Sequence, residues 1–371
     1  SPPRVDMDQR LSEITAHKIL GYPILAGILG CVFAVVFIAG GAMISILDGV
    51  FNGVLVPASE ALLSPVLPPI FAQMVSGGIV WGIGAAVTIV LPYIVPFYIL
   101  LAILEDSGYL PRAAFLMDNV MHKIGLHGKA FIPMLLGYGC NVPACVGCRI
   151  METDRERFLA GFVVTLVPCA ARTVIILGLV GRYIGMGAAL VLYLFDLGLV
   201  LLLGRLAFRA LPGEPVGLIM EMPPYRTPTA KSIARKTWVR TKEFVYVAFP
   251  FIIGGSVFLQ FLSATGLINV LADLMSPLIE SWLGLPSVTG VPLIFGVLRK
   301  ELTLVLLADI GGTFDFSRIL APVQMVVFAI VTMIYIPCIA TIAALAREFG
   351  AKRALAVAAL DSALAVFLGG V

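Results

Sequence analysis

The stretch Gly137-Tyr138-Gly139-Cys140-Asn141-Val142-Pro143-Ala144 concentrates groups that can hold a cation. Gly137 and Gly139 admit backbone angles closed to other residues. Pro143 has no N–H, so a carbonyl one turn back loses its helical partner. Asn141 brings an amide donor and acceptor, and Cys140 a soft sulfur of the kind late first-row metals favour. An unwound tip of this composition presents carbonyls and side chains to an ion. The competing reading is tight helix packing that needs small residues. Two more places repeat the theme. Pro168-Cys169-Ala170-Ala171-Arg172 and Pro337-Cys338-Ile339-Ala340-Thr341 each set a sulfur beside a proline that frees a carbonyl. Their plain alternative is a packing kink.

Charged candidates are few. Glu301 follows Arg299 and Lys300 in an apolar stretch, where ionisable residues are functional candidates by default; a Lys–Glu pair closing a hairpin is the alternative. Arg172 and Asp196 are costly within apolar segments and need partners or a cavity. Glu105 and Asp106 end a span just before Ser107, which is placed to cap the next helix. Cys145 and Cys148 extend Cys140 into C-x4-C-x2-C, a weak zinc spacing that reads better as packing. The histidines, His17, His122 and His127, lie outside every expected span, and no GxxxxGK[ST] phosphate loop occurs.

These groups are set in an extremely apolar chain. Hydrophobic residues fill 60% of 371 positions and charged ones 13%, and mean hydropathy is +1.03. A soluble domain has roughly 45–50% apolar and about 25% charged residues, so lipid must cover the excess. The sequence predicts an all-α polytopic membrane protein. A net charge of +3 is too small to suggest nucleic acid. The six cysteines sit in apolar or Gly/Pro-rich segments, which argues against a disulfide framework. No cleavable signal peptide is expected, because residues 1–20 are polar and charged.

Spans are predicted over 24–47, 78–104, 158–181, 185–208, 243–264, 320–346 and 352–370. The apolar stretches 131–148 and 290–310 are interrupted by Gly/Pro and by charge, and read as broken or re-entrant hairpins. Lys and Arg crowd 205–242, which should be cytoplasmic, and are missing from 48–77 and 265–288, which should be external. The expected divisions are a cytoplasmic lead-in 1–23, a first span with an external segment 24–77, a first repeat 78–181, a connecting span with a basic cytoplasmic loop 182–242, a second repeat 243–346 and a C-terminal apolar segment 347–371.

The repeat rests on self-similarity. At an offset of 158, Pro92 falls on Pro250, Ser107-Gly108 on Thr265-Gly266 and Leu116-Met117 on Leu274-Met275. At 159, Pro133 and Gly137 fall on Pro292 and Gly296, and at 169 Pro168-Cys169 falls on Pro337-Cys338. The first unit opens with a span running inward and the second with one running outward. Two inverted repeats with broken helices are transporter architecture, with a substrate site near the midplane.

The segments LEDSGYLPRAAFLMDNVMHKIGLHGKAFIPMLLGYGCNVPA (104–144), EMPPYRTPTAKSIARKTWVRTKEF (221–244) and HKILGYPI (17–24) resemble the membrane part of the ferrous iron transport protein B family. The similarity covers nearly the whole chain, with PCAAR and IPCIAT at matching places in the two "Gate" repeats. The resemblance implies Fe²⁺ as transported substrate in the cytoplasmic (inner) membrane of a prokaryote, and no enzymatic activity in this part. It also implies a GTP-binding G domain, trimmed away or a separate polypeptide; a small accessory Feo protein and further copies of the chain in a homo-oligomer are candidate partners, with the oligomeric state left open by the sequence. Cys140, Asn141, Cys169, Cys338 and Glu301 are then the iron-pathway residues. Gly137, Gly139, Pro143, Pro168 and Pro337 shape the hairpins and kinks, and Glu105, Asp106, Arg172, Cys145 and Cys148 are lesser candidates. Two departures from the family pattern stand out: Cys145 and Cys148 replace other residue types, and the second tip reads VLRKE without a glycine before Lys-Glu. Rival readings are a transporter of nucleosides or other small solutes, which would show more amides, acids and aromatics at the tips, and a non-transporting membrane scaffold.

Overall fold

A computed structural model describes residues 13–15, 17, 19–55, 57–58, 61, 79–80, 83–84, 87–88, 91–126, 128–210, 225–298, 300, 302–311, 313, 315–335 and 337–371. Among them there is helix and loop but no strand. That is what a bilayer demands, because only a helix satisfies its own backbone groups there. The chain gathers into two compact units. One holds Ser1–Leu47, Thr88–Val164 and Val200–Val245, the other Asp48–Val87, Thr165–Leu199 and Tyr246–Val371.

In the first unit α1 (Gly21–Val50) is a long apolar helix. α2 (Leu91–Asp106) and α3 (Tyr109–Lys123) meet at 87°. The corner is Gly108, with φ 82°, a left-handed conformation open to glycine. Ser107 does not cap α3 in the expected way, since Gly108 holds the N-cap position. Its hydroxyl instead donates to the Leu104 carbonyl at 2.9 Å and accepts weakly from Tyr109 N–H at 3.4 Å. Of the span expected over 78–104, continuous description begins at Leu91. Next come α4 (Phe131–Gly139) and α5 (Asn141–Gly147), two short helices broken at Cys140. α6 (Asp154–Leu166) follows.

The break after α6 is dictated by Pro168, which disfavours helical angles at the residue before it and offers no N–H. Helix resumes as α7 (Ala170–Ile175). α8 (Met186–Ala210) shows a lipid-facing stripe, with Leu190, Leu194 and Leu197 exposed while Ala189 and Leu192 are buried. α9 (Ala230–Ala264) is 35 residues long. It begins well before the span expected at 243, so the later part of the predicted basic loop is helix. Ala230 to Arg240 is rich in good helix formers, and Lys236 and Arg240 share one face at i, i+4.

In the second unit α10 (Leu267–Ser276) again starts from a left-handed glycine, Gly266 at φ 73°. α11 (Gly290–Phe295) and α12 (Leu302–Gly311) form the second broken hairpin. α13 (Pro322–Ile334) and α14 (Ile339–Phe349) are two halves of one span, broken around Pro337. α15 (Ala351–Gly370) is a full 20-residue helix, joined to α14 through Gly350 at φ 89°. Six stretches of the described chain are long and apolar enough to cross a membrane, and up to eight if each bent pair is one span. The protein is therefore an all-α multispan membrane protein with broken helices.

Candidate functional site

The described cysteines singled out from sequence as pathway residues fall into two places, Cys140 in the first unit and Cys169 with Cys338 in the second. In the first unit the break between α4 and α5 is an extended Cys140, φ −155° and ψ 133°. Its N–H closes α4 by donating to Leu136 O at 2.9 Å, while the residue itself is half-buried. Asn141, beside it, is buried, and its side-chain oxygen Oδ1 has no hydrogen-bond partner. A buried amide acceptor without a donor is costly unless something else satisfies it. Gly139 lies so near the Phe97 ring that an added Cβ would sit 3.0 Å from it. Cys145 and Cys148 are fully buried, and the Cys148 sulfur donates to the Ala144 carbonyl at 3.3 Å, in keeping with a packing role.

The same unit explains other predicted residues structurally. Glu105 and Asp106 pair with Lys236 at 2.9 and 2.5 Å, and Glu105 also meets Arg240 at 2.7 Å. These ion pairs fasten the end of α2 to the early turns of α9. Arg112 is buried; its Nη1 donates to Gly108 O at 2.6 Å, and its guanidinium lies 3.9 Å over the Tyr225 ring. Sequence reasoning passed over Arg112, although its place inside a long signature segment was the available signal.

The second unit holds the two proline–cysteine breaks. Cys169 and Cys338 are each extended, with ψ 171° and 154°, and each opens the following half-helix as its N-cap. Both are half-buried, and each lies within electrostatic reach of the other. The Cys338 sulfur is 3.1 Å from the Thr341 hydroxyl.

A helix broken in a bilayer strands carbonyls, and here buried cations cover them. Arg172 Nη1 donates to Thr165 O at 2.7 Å and to Val167 O at 3.3 Å. Lys300 Nζ donates to Tyr335 O at 3.0 Å and to Thr332 O at 3.2 Å, and lies 3.3 Å from the centroid of the Tyr335 ring. Tyr335 in turn donates its hydroxyl to Leu293 O at 3.0 Å. The tip is stitched back once more by Ile339 N–H to Val297 O at 2.9 Å. Lys300 thus serves the α13–α14 break. Glu301 lies outside the described residues.

Two buried acids complete this neighbourhood. Asp361, in mid-α15, is wholly buried; the Thr165 hydroxyl is its nearest polar neighbour, and no cation lies within hydrogen-bond distance of either carboxylate oxygen. Arg172 and Lys300 are the cations close enough to act on it electrostatically. Asp196 is also buried, near Arg172, with Oδ1 unpartnered. Asp361 was not picked out from sequence, though a lone acid inside an apolar stretch of membrane length was a readable signal. Among the described residues no three His, Cys, Asp or Glu side chains converge as a metal cluster. A cation held here would need backbone oxygens besides sulfur.

Comparison with known proteins fits this arrangement. The family described as Gate, nucleoside recognition, matches residues 87–183 and 245–352, two stretches that together exceed half of the chain. They begin 158 residues apart and end 169 apart, the first and last of the offsets at which the sequence matches itself. The family described as ferrous iron transport protein B C terminus matches residues 189–240. The chain is 32% identical over 363 residues to the Fe(2+) transporter FeoB of Staphylococcus aureus, covering 91% of this chain and 54% of that protein. It is 31% identical over 391 residues to the Fe(2+) transporter FeoB of Synechocystis sp., covering 98% of this chain and 61% of the relative. A fusion of Fe(2+) transport protein A and FeoB from Porphyromonas gingivalis is 33% identical over 262 residues, 69% of this chain and 30% of the fusion. No solved structure matches the chain. The chain spans only about half the length of the first of these curated relatives. With the Gate repeats, the C-terminal segment and the signature residues all in place, the chain belongs to the ferrous iron transport protein B family and corresponds to its membrane part.

Proposed function

We propose that this chain conducts ferrous iron across the cytoplasmic membrane of a prokaryote, through a pathway that uses the sulfurs of Cys140, Cys169 and Cys338. The observation that carries the reading is the pairing of Cys169 and Cys338, each the N-cap of a half-helix after a proline break and within electrostatic reach of one another. Sulfur suits Fe²⁺ better than Mg²⁺ or Ca²⁺, and carbonyls stranded by the breaks supply oxygen. The two extended breaks and their shared spacing support two inverted repeats around the pathway. Transport, not catalysis, is the role of this part. GTP enters the cycle through a G domain, in the same protein or as a separate chain. The fusion relative supports a small accessory Feo protein as partner.

A nucleoside substrate is suggested by the Gate family's description. The half-buried sulfurs at the breaks and the iron named in the relatives favour the metal. The test is anaerobic Fe²⁺ entry into liposomes carrying the chain, with Cys140→Ser and Cys169→Ser beside it. Fe²⁺ flux that falls in both variants is the expected result. Absence of metal-dependent flux, even with the G domain supplied, sinks the iron reading, whereas unchanged flux in both variants sinks only the cysteine assignment.

A further inference from the structure

The second unit contains more charge than a structural scaffold needs. Arg172, Lys300, Asp196 and Asp361 are all at most 2% exposed. Isolated buried charges are expensive in a bilayer and normally pair. Here the hydrogen bonds that Arg172 and Lys300 make go to carbonyls, Arg172 Nε and Nη2 have no partner, and no cation bonds either oxygen of Asp361, which has only the Thr165 hydroxyl beside it. Lys300 and Asp361 still lie within electrostatic reach. The single-residue joint at Gly350 also relates Asp361 to the cysteine break: Asp361 lies as many residues beyond Gly350 as Ile339, next to Cys338, lies before it.

The place Lys300 occupies is itself informative. Two carbonyl oxygens and the face of an aromatic ring surround its ammonium. That is a cation site, on carbonyls three and six residues upstream of Cys338 and left open by the break at Pro337. The first break shows the same chemistry, with the Arg172 guanidinium on carbonyls two and four residues before Cys169. A lysine is the more easily displaced of the two, having a flexible four-carbon stem and a compact charge. It also hangs from the non-helical tip between α11 and α12.

We propose that the carbonyl oxygens of Thr332 and Tyr335 are an oxygen site for the transported divalent cation, filled by the Lys300 ammonium while no cargo is present, and that Asp361 is the counter-charge to which Lys300 moves when cargo enters. The exchange balances without any bond breaking. The lysine leaves two carbonyls and gains a carboxylate, and the metal gains the carbonyls beside the Cys338 sulfur. The inference rests on the proposed iron pathway and deepens it by naming the oxygen ligands and the resident competitor.

The test measures how much Fe²⁺, added anaerobically, is needed to protect Cys338 from N-ethylmaleimide, with modification of the Cys338 peptide read by mass spectrometry. Removing the competitor with Lys300→Met should lower the half-protecting Fe²⁺ concentration by about tenfold or more. Lys300→Gln should do the same while keeping an N–H for the carbonyls, so it carries the test where the methionine variant does not fold. Asp361→Asn should raise that concentration by about tenfold, because Lys300 then has nowhere to go. The decisive arm is the double variant Lys300→Gln/Asp361→Asn. Without a lysine to relocate, the carboxylate is not needed, and Fe²⁺ sensitivity should return to that of Lys300→Gln. A lysine that merely caps a broken helix gives no such suppression. The proposal is overturned if Lys300→Gln leaves Fe²⁺ protection unchanged or weaker, or if the double variant stays as insensitive as Asp361→Asn. Failure of Fe²⁺ to protect Cys338 in the unsubstituted chain removes the cysteine pathway and this site with it.

Discussion

Arg112 and Asn141 mark two opposite uses of a buried polar side chain. Arg112 stacks on Tyr225 and donates to the Gly108 carbonyl, so its planar fork does two jobs at once. Arg112→Lys keeps the charge but loses the stack. It should lower the melting temperature in detergent, by a free energy of about 1–2 kcal/mol, and leave Cys338 reactivity untouched. Asn141 does the reverse: its unpartnered oxygen costs stability. Asn141→Val should therefore leave the melting temperature equal or higher, yet weaken the protection of Cys140 by Fe²⁺; a loss of stability instead would mean that the amide is structural glue. At this scale the sequence exposed residues whose chemistry is local. Cys169 and Cys338 are recognisable beside their prolines because the proline breaks its own helix, and Cys140 stands out between Gly139 and Asn141. Lys300 was visible, but its partners were not, since Thr332 and Tyr335 are brought to it by folding and contribute only backbone. Glu105 and Asp106 are likewise bound to Lys236 and Arg240, more than a hundred residues away.

Helices in this chain are interrupted by glycine corners and proline breaks, and the two devices answer to different forces. The corners at Gly108 and Gly266 both have positive φ, and they are equivalent at the offset of 158. An added Cβ at Gly266 would meet nothing within 4 Å. Gly266→Ala should thus carry only the backbone penalty, about 1–2 kcal/mol, read as a lower melting temperature. A larger loss would mean that the corner moves. The breaks, by contrast, strand carbonyls and so demand cations from elsewhere. Element existence was legible because apolar length and proline position are local properties. Element ends were less so. The helix from Ala230 runs into what charge alone marked as loop, because its Lys and Arg face acids on α2 as well as water.

For the molecule as a whole, the apolar excess foretold a membrane protein, and six described stretches are long enough to cross a bilayer. The inverted arrangement that we propose for the repeats makes its own prediction. His122 and Glu280 are equivalent at the offset of 158, and both are exposed. His122→Cys and Glu280→Cys should become labelled by a membrane-impermeant thiol reagent from opposite sides of the bilayer, over the background of the unsubstituted chain. Labelling from one side would mean that the repeats run in the same sense. Such orientation was inferred from the distribution of Lys and Arg, a signal that belongs to the chain and its membrane together.

The single-residue joint at Gly350 works as a ruler. One residue added there would turn α15 by about 100° and slide it by about 1.5 Å. The helix would remain as apolar and as long as before, but its acid would face a different neighbour. Length at this joint is therefore a form of information, held by no side chain. Variation in this chain should be tolerated in what α15 is made of far more readily than in how many residues precede Asp361.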